Sequence, residues 1–400
     1  MRIVHTGDWH LGHTLGGFSR DAEHARFLTW LVDELERENA DALFICGDVF
    51  DHGNPAAMAQ TRYFDFLAAV HRRVPRCTVV VIGGNHDAAP RLDAPGPLLR
   101  SFGMHVVGAM PRSDGALDPE RCLVPLAGKS GEVEAWVACV PFLRASDLPP
   151  GDDVATATGA VLGRVFDVAR AQRTSAQALF ALGHCHMAGG TITDDSERPV
   201  FGNAHALSVD LFPDDVTYAA LGHLHFAQEV GGRKNVRYSG SPIPLSMTER
   251  AYRHQVVVVD VDGPAVSEMR ALPVPRNVAL LRIPEEGAPI DDVLDRLRAL
   301  DVADAPDHER PFLEVRVHLD APAPDLRARI EQALEGKAVR LVRVHREHSG
   351  DERALADAVT SSLSELDPMR VLERIYARAY GGEVPADLRA AFSELVASEA

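Results

Sequence analysis

The sequence predicts an α/β layered protein of more than one domain, on three observations. Up to about Arg270, short β-branched runs alternate with amphipathic helical patterns, as expected where strands and helices form layers. A break marked by Pro273 and Pro275 is followed by a second, shorter strand–helix alternation, and beyond Ser349–Asp351 only helical patterns remain. The length agrees, since 400 residues exceed what one hydrophobic core usually organises.

The strands expected in the first region are Ile3–Thr6, Ala42–Cys46, Thr78–Ile82, His105–Val107, Ala135–Val140, Ala178–Leu182, Val216–Leu221, Val236–Ser239 and Gln255–Val261. Between the first two, Phe27, Leu28, Leu31 and Leu35 fall on one helical stripe while Arg26, Asp33, Glu34 and Glu36 fall elsewhere, so that helix packs one face on a sheet. Residues 1–272 therefore form the main domain. Pro273–Asn277 reads as a linker into a small α/β cap over 277–348, built from Val278–Ile283, Ile290–Leu300, Phe312–Leu319, Leu326–Leu334 and Ala338–Val344. The tail, 352–400, carries helical patterns at Leu355–Leu366, Pro368–Tyr380 and Ala386–Val396. Its apolar stripe, including Leu363, Leu366, Val371, Leu372 and Ile375, either folds back on the cap or binds a partner.

Composition narrows the class. An apolar fraction of 46% with 25% charged residues is that of an ordinary soluble globular protein, which sets disorder aside. No stretch approaches membrane-spanning length and no leader-like segment opens the chain, so a cytoplasmic location is expected. The five cysteines are odd in number and scattered without a C-x-x-C pair, against both a disulfide framework and a structural zinc site. A net charge of −17 opposes non-specific affinity for nucleic acid, unless many of the acidic groups are metal ligands or lie on distant surface, or a positively charged partner carries the DNA.

The chemistry lies in five short motifs, each just after an apolar strand pattern: Gly7-Asp8-Trp9-His10, Gly47-Asp48, Gly83-Gly84-Asn85-His86-Asp87, Gly183-His184 and Gly222-His223-Leu224-His225. Residues at the carboxyl ends of strands gather at one edge of a sheet, so ligands distant in the chain can converge there. Together they offer carboxylates, imidazoles and an amide carbonyl, a donor set suited to manganese, iron or zinc. One central carboxylate can bridge two ions about 3.5–4 Å apart, the spacing that clamps the attacking and leaving oxygens of a phosphoester. Of His184 and His186, the glycine–histidine pattern selects His184. His5 reads as a hydrogen-bonded core residue, His13 as an ordinary loop residue, and Trp9 as a packed indole.

As a set, over about the first 225 residues, these motifs resemble the calcineurin-like metallophosphoesterase superfamily. The resemblance implies a layered β-sandwich core with helices outside. It also implies that Asp8, His10, Asp48 and His225 hold one ion and Asp48, Asn85, His184 and His223 the other, with Asp48 as the bridge. His86 would act on the phosphate as an acid or transition-state stabiliser, and Asp87 would orient its neighbours. Finer matches, His5 to Gly12, Gly47 to Asp51 and Ser239 to Ser246, are similar to the SbcD family of nuclease subunits. That family implies manganese-dependent exonuclease and endonuclease activity on double-stranded DNA ends and hairpins. It also implies association with an SbcC-type SMC-like ATPase, and a homodimer within a heterotetramer. No separate catalytic role is assigned to Asp51 or His52, where the chain departs from related nucleases and phosphatases. Two rivals remain: a small-molecule phosphodiesterase or protein phosphatase on the same scaffold, and an inactive interaction scaffold.

Overall fold

The computed structural model describes residues 1–151, 153–191, 206–319 and 323–348, and beyond those 372, 376, 384, 385, 388 and 389. The helical tail expected over 352–400 lies almost wholly outside the described residues. The chain divides into two compact units, Met1–Val317 with Pro324–His345, and His318–Ala323 with Arg346–Ala400. No helix among the described residues is long and apolar enough to cross a membrane.

Two six-stranded sheets form the main domain. We number its principal strands β1 Arg2–Thr6, β2 Ala42–Cys46, β3 Thr78–Ile82, β4 Met104–Val107, β5 Leu123–Ala127, β6 Val133–Val140, β7 Ala178–His184, β8 Tyr218–Gly222, β9 Gln228–Val230, β10 Arg233–Tyr238, β11 Gln255–Asp262 and β12 Ala265–Pro273. The first sheet runs β12-β11-β1-β2-β3-β4 and the second β9-β10-β8-β7-β6-β5. The central pairings β1–β2, β2–β3, β6–β7 and β7–β8 are parallel, so their carboxyl ends point the same way within each sheet.

Why the central strands read as unbroken apolar runs is now plain, because both of their faces are covered. Side chains alternate across a strand. In β2, Leu43 and Ile45 join the core under helices α1 (Asp21–Glu38) and α2 (Ala57–Arg73), while Ala42, Phe44 and Cys46 enter the core between the sheets. In β7, Leu179 and Ala181 meet α3 (Val154–Gln172), whereas Ala178, Phe180 and Leu182 face inward. Phe44 and Phe180 meet edge to face across the middle layer, 5.4 Å between centroids. The order is helix, sheet, sheet, helix. Helix α1 buries Phe27, Leu28, Leu31 and Leu35 as its stripe requires, and it ends where Asn39 turns left-handed at φ 51°.

The cap region carries β13 Leu280–Pro289, α4 Ile290–Arg298, β14 Phe312–Leu319, α5 Leu326–Ala333 and β15 Arg340–His348, with β14 between the other two strands. Here one boundary is corrected. The strand expected to end at Ile283, before Pro284, continues to Pro289. As an edge strand it can leave one side without ladder hydrogen bonds, so a residue lacking an N–H is tolerated. The linker is also shorter than expected, since Pro273 closes β12. Strands β5, β9 and β12 lie outside the expected set: Pro125 interrupts β5, β9 is only three residues long, and β12 mixes charged and polar residues among its apolar ones.

Candidate metal centre

Each motif lies at the carboxyl end of a central strand, Gly183-His184 as the last residues of β7, Gly222 as the last of β8 and the rest in the turns that follow, and the turns lock to one another through the backbone. The Asp8 amide donates to the Gly47 carbonyl at 3.0 Å and the His10 amide to the Asp48 carbonyl at 2.9 Å. Space at the crossing is so tight that a Cβ on Gly84 would lie 2.1 Å from Asp48 Oδ1, and one on Gly222 would lie 1.8 Å from the Cys46 carbonyl. Within these motifs four non-glycine residues adopt positive φ: Asp8 at 53°, His10 at 49°, Asp48 at 48° and His223 at 112°. Such conformations cost on the order of 1–3 kcal/mol each and persist where the surroundings over-determine them, characteristically at functional sites.

These turns bring all seven expected ligands together. Asp48 is central: its Oδ2 lies 3.3 Å from His184 Nε2 and 3.5 Å from His10 Nε2, while its Oδ1 accepts the His86 amide at 2.9 Å. The Asn85 side-chain oxygen lies 2.9 Å from His184 Nε2 and 3.1 Å from His223 Nδ1. Asp8 accepts the His223 amide through Oδ1, leaving Oδ2 buried without a partner. Three groups bring donor atoms within 4.8 Å of one another: Asp8 with His10 and His225, Asp8 with Asp48 and His184, and His10 with Asp48 and His86. His186, by contrast, is only partly buried, and its ring centroid lies 6.4 Å from that of His223.

The electrostatics suit a cation. Burial pushes the Asp8 carboxyl up to about 7, against the pull of His184 and His225. Burial also lowers His10 to about 4 and His223 to about 3, so both rings are neutral and carry a lone pair. His184 goes the other way: despite burial, the Asp48 and Asp8 carboxylates hold its proton up to about 9. Buried carboxylates without neutralising charge are expensive, and divalent ions would satisfy them together with the unpartnered Asp8 Oδ2 and His10 Nε2. The residues present fit a pair of such ions.

Around this set lies a ring of polar groups; Asp87 and His86 belong to an expected motif, whereas local sequence patterns give little sign of the parts that Asp51, His13 and Glu249 play. The His184 Nδ1–H donates to the Cys46 carbonyl at 2.8 Å, which turns Nε2 toward Asp48. Asp51 sits 3.3 Å from His10 Nδ1 and 3.0 Å from His13 Nδ1, and His13 Nε2 donates to the Leu245 carbonyl at 2.9 Å. His13 is thus a strut between two loops rather than an ordinary loop residue. Glu249, fully buried, accepts from His225 Nδ1 at 3.0 Å and from the Leu245 amide at 2.8 Å. Asp87 accepts three backbone amides, of Gly84, Val49 and Phe50, and so staples the third motif to the second. The His86 Nδ1–H donates to the Asp51 carbonyl at 2.7 Å. Outside the centre, His5 is buried between Tyr218 Oη at 2.8 Å and the Leu221 carbonyl at 3.2 Å, and Trp9 donates to Thr6 Oγ1 while packing on Phe27 and Phe66.

Comparison with known proteins agrees with this architecture. The calcineurin-like phosphoesterase family matches residues 1–227, and the family described as type 5 capsule protein repressor C-terminal domain matches residues 276–380. The chain is 42% identical over 353 residues to the SbcD subunit of the SbcCD nuclease of Rhodobacter capsulatus, covering 85% of this chain and 86% of that protein. It is 30% identical over 381 residues to the protein of the same name in Escherichia coli K12, covering 94% and 92%. The Bacillus subtilis counterpart is 38% identical over 271 residues, covering 65% and 66%. With matched motifs, a matched cap region and relatives aligned over most of their length, the chain belongs to the SbcD family of calcineurin-like phosphoesterases.

Proposed function

We propose that this chain is the metal-dependent nuclease subunit of a cytoplasmic DNA-end-processing complex, with manganese as its metal. The observation that carries the reading is the convergence of Asp8, His10, Asp48, Asn85, His184, His223 and His225 at one edge of the two sheets. Asp8, His10, Asp48 and His225 would hold one ion, and Asp48, Asn85, His184 and His223 the other. When bound, such ions lower the pKa of a coordinated water and neutralise charge on the phosphoryl oxygens.

The chain's own groups set the rest. Because its Nδ1–H is committed to the Asp51 carbonyl, His86 has Nε2 left to address a phosphodiester oxygen, and in the imidazolium form its Nε2–H would pass a proton to the oxygen that departs, leaving the ring neutral. Asp51 and Glu249 hold the far nitrogens of His10 and His225, fixing which nitrogen each ring presents. Asp87 keeps the His86 turn in register with Asp48.

The substrates of this reading are double-stranded DNA ends and hairpins, and the partner is an SbcC-type SMC-like ATPase. The assembly of this reading is a homodimer within a heterotetramer, for which the exposed apolar side chains of Met58 and Phe64 on α2 and of Leu98 and Phe102 beyond β3 are candidates to be covered. The test is hydrolysis of end-labelled duplex and hairpin DNA beside a phosphomonoester, with manganese added and then chelated, and with or without the ATPase and ATP. Manganese-dependent DNA cutting supports the nuclease. Strong monoester turnover with no DNA cutting would instead favour a phosphatase, the reading that the net charge of −17 suits.

A further inference from the structure

A second cleft, of about 420 Å³, opens where the turn Pro242–Pro244, the segment Arg250–His254 and the linker Pro273–Asn277 meet. Its volume falls in the range of small-ligand sites. Three arginines line it in a chain whose net charge is −17, and they are not equally neutralised. Arg250 is paired with Glu285. Glu23, the one carboxylate in the wall, is taken by buried Arg20 through two contacts, one of 2.7 Å from Nη2. Arg276 is held in place by donating to the carbonyls of Arg250 at 2.6 Å and Tyr252 at 2.9 Å, and it has no carboxylate partner among the described residues. Burial, with Arg20 nearby, lowers its pKa, although Glu23 pulls the other way. Arg253, exposed at the rim, also has no carboxylate partner among the described residues.

The remaining wall suits an aromatic, hydrogen-bonding body. Tyr252 supplies a ring beside Phe226, 4.8 Å between centroids. His254 commits its Nδ1–H to the Ser241 carbonyl at 2.8 Å, and its buried Nε2 has no hydrogen-bond partner. A guanidinium held rigid by backbone carbonyls is a preorganised phosphate receptor, and an aromatic wall stacks on a base.

We infer that this cleft is a second binding site, separate from the metal centre, for a nucleotide. Its phosphate sits between Arg253 and Arg276, and its base lies along Tyr252. The same chemistry comes from a free mononucleotide or from the phosphorylated end of a DNA strand. The inference does not depend on the metal centre being catalytic.

The test uses the full chain kept in chelator, so that no metal can hold phosphate. Titration calorimetry with deoxyadenosine monophosphate, inorganic phosphate and deoxyadenosine is run on the natural chain, on Arg253→Glu, and on Arg296→Glu as an exposed charge control on α4. Saturable nucleotide binding is expected, weakened at least tenfold by Arg253→Glu and unchanged by Arg296→Glu, with deoxyadenosine much weaker than its phosphate. A single-stranded oligonucleotide with and without a 5′-phosphate then separates the sources. Phosphate-dependent, Arg253-dependent binding assigns the site to strand ends, and its absence beside mononucleotide binding assigns it to free nucleotides. No saturable nucleotide binding, or equal affinities in the two variants, overturns the inference.

Discussion

Glu249→Gln removes one charge from a buried residue that bears on the candidate metal centre through its contact with His225, and so isolates the aiming of that ring. The Glu249 carboxylate is fully buried and accepts from His225 Nδ1 at 3.0 Å, the Leu245 amide at 2.8 Å and Ser241 Oγ at 3.3 Å. Glutamine keeps the shape, yet it offers a single acceptor oxygen and turns an NH2 toward one of three donors. A hydrogen bond involving a charged group contributes about 1.5–3 kcal/mol against about 0.5–1.5 for a neutral one. The ring therefore loses about 1–2 kcal/mol of orientation, in line with the roughly 10–100-fold loss of metal affinity typical of such partners. The assay is direct manganese titration of the purified chain, reading free ion by electron paramagnetic resonance, with circular dichroism to verify the fold. Affinity within twofold of the natural chain for every ion bound would refute the aiming argument, whatever happened to turnover.

Four further expectations are open to measurement. Asp48→Asn should cut bound metal per chain by at least half, as measured by elemental analysis after dialysis, because Asp48 lies against both His10 and His184. His86→Ala should leave that metal content within twofold of the natural chain and lower DNA hydrolysis at least a hundredfold, a loss within the range removal of a general acid gives. Phe180→Ala opens the layer between the sheets and should cost about 3–5 kcal/mol in urea melts. Hydrogen bonding from Arg170, with the nearby charge of Arg173, holds the Asp215 carboxyl below its ordinary value, so its stabilisation exists above the unfolded pKa and fades as pH falls through the folded one. Asp215→Asn should then cost about 0.5–1 kcal/mol at neutral pH, solvent screening included, and progressively less as pH falls below the unfolded carboxylate value of about 3.9 in the same melts.

What the sequence reveals and what it hides follow from distance along the chain. Strands β2 and β3 are legible to the residue because a strand covered on both faces must be apolar throughout. The candidate ligands stand out in the sequence because each follows such a strand within a few positions. Glu249 is not, since it reaches His225 from 24 residues away, and no local spacing marks a carboxylate that acts through a fold. Asp51 stands in a recognisable motif yet acquires a role only through the fold, in contacts with His10, 41 residues earlier, with His13 and with His86. The positive φ of Asp8, His10, Asp48 and His223 also leaves no compositional trace, as these residues are not the glycines usually found there.

Strand β1 lies inside its sheet, flanked by β2 on one side and by β11, residues Gln255–Asp262, on the other. During synthesis on the ribosome, the loop bearing Asp8 and His10 therefore leaves a strand whose second edge has nothing to pair with until the chain has grown past residue 255. A nascent chain shorter than that presents an open apolar edge, the surface that chaperones shield and that misassembly exploits. Even after His225 has been made, the centre waits for a later strand. Competence to cut should therefore arrive late in translation, when the main domain can close around its first strand.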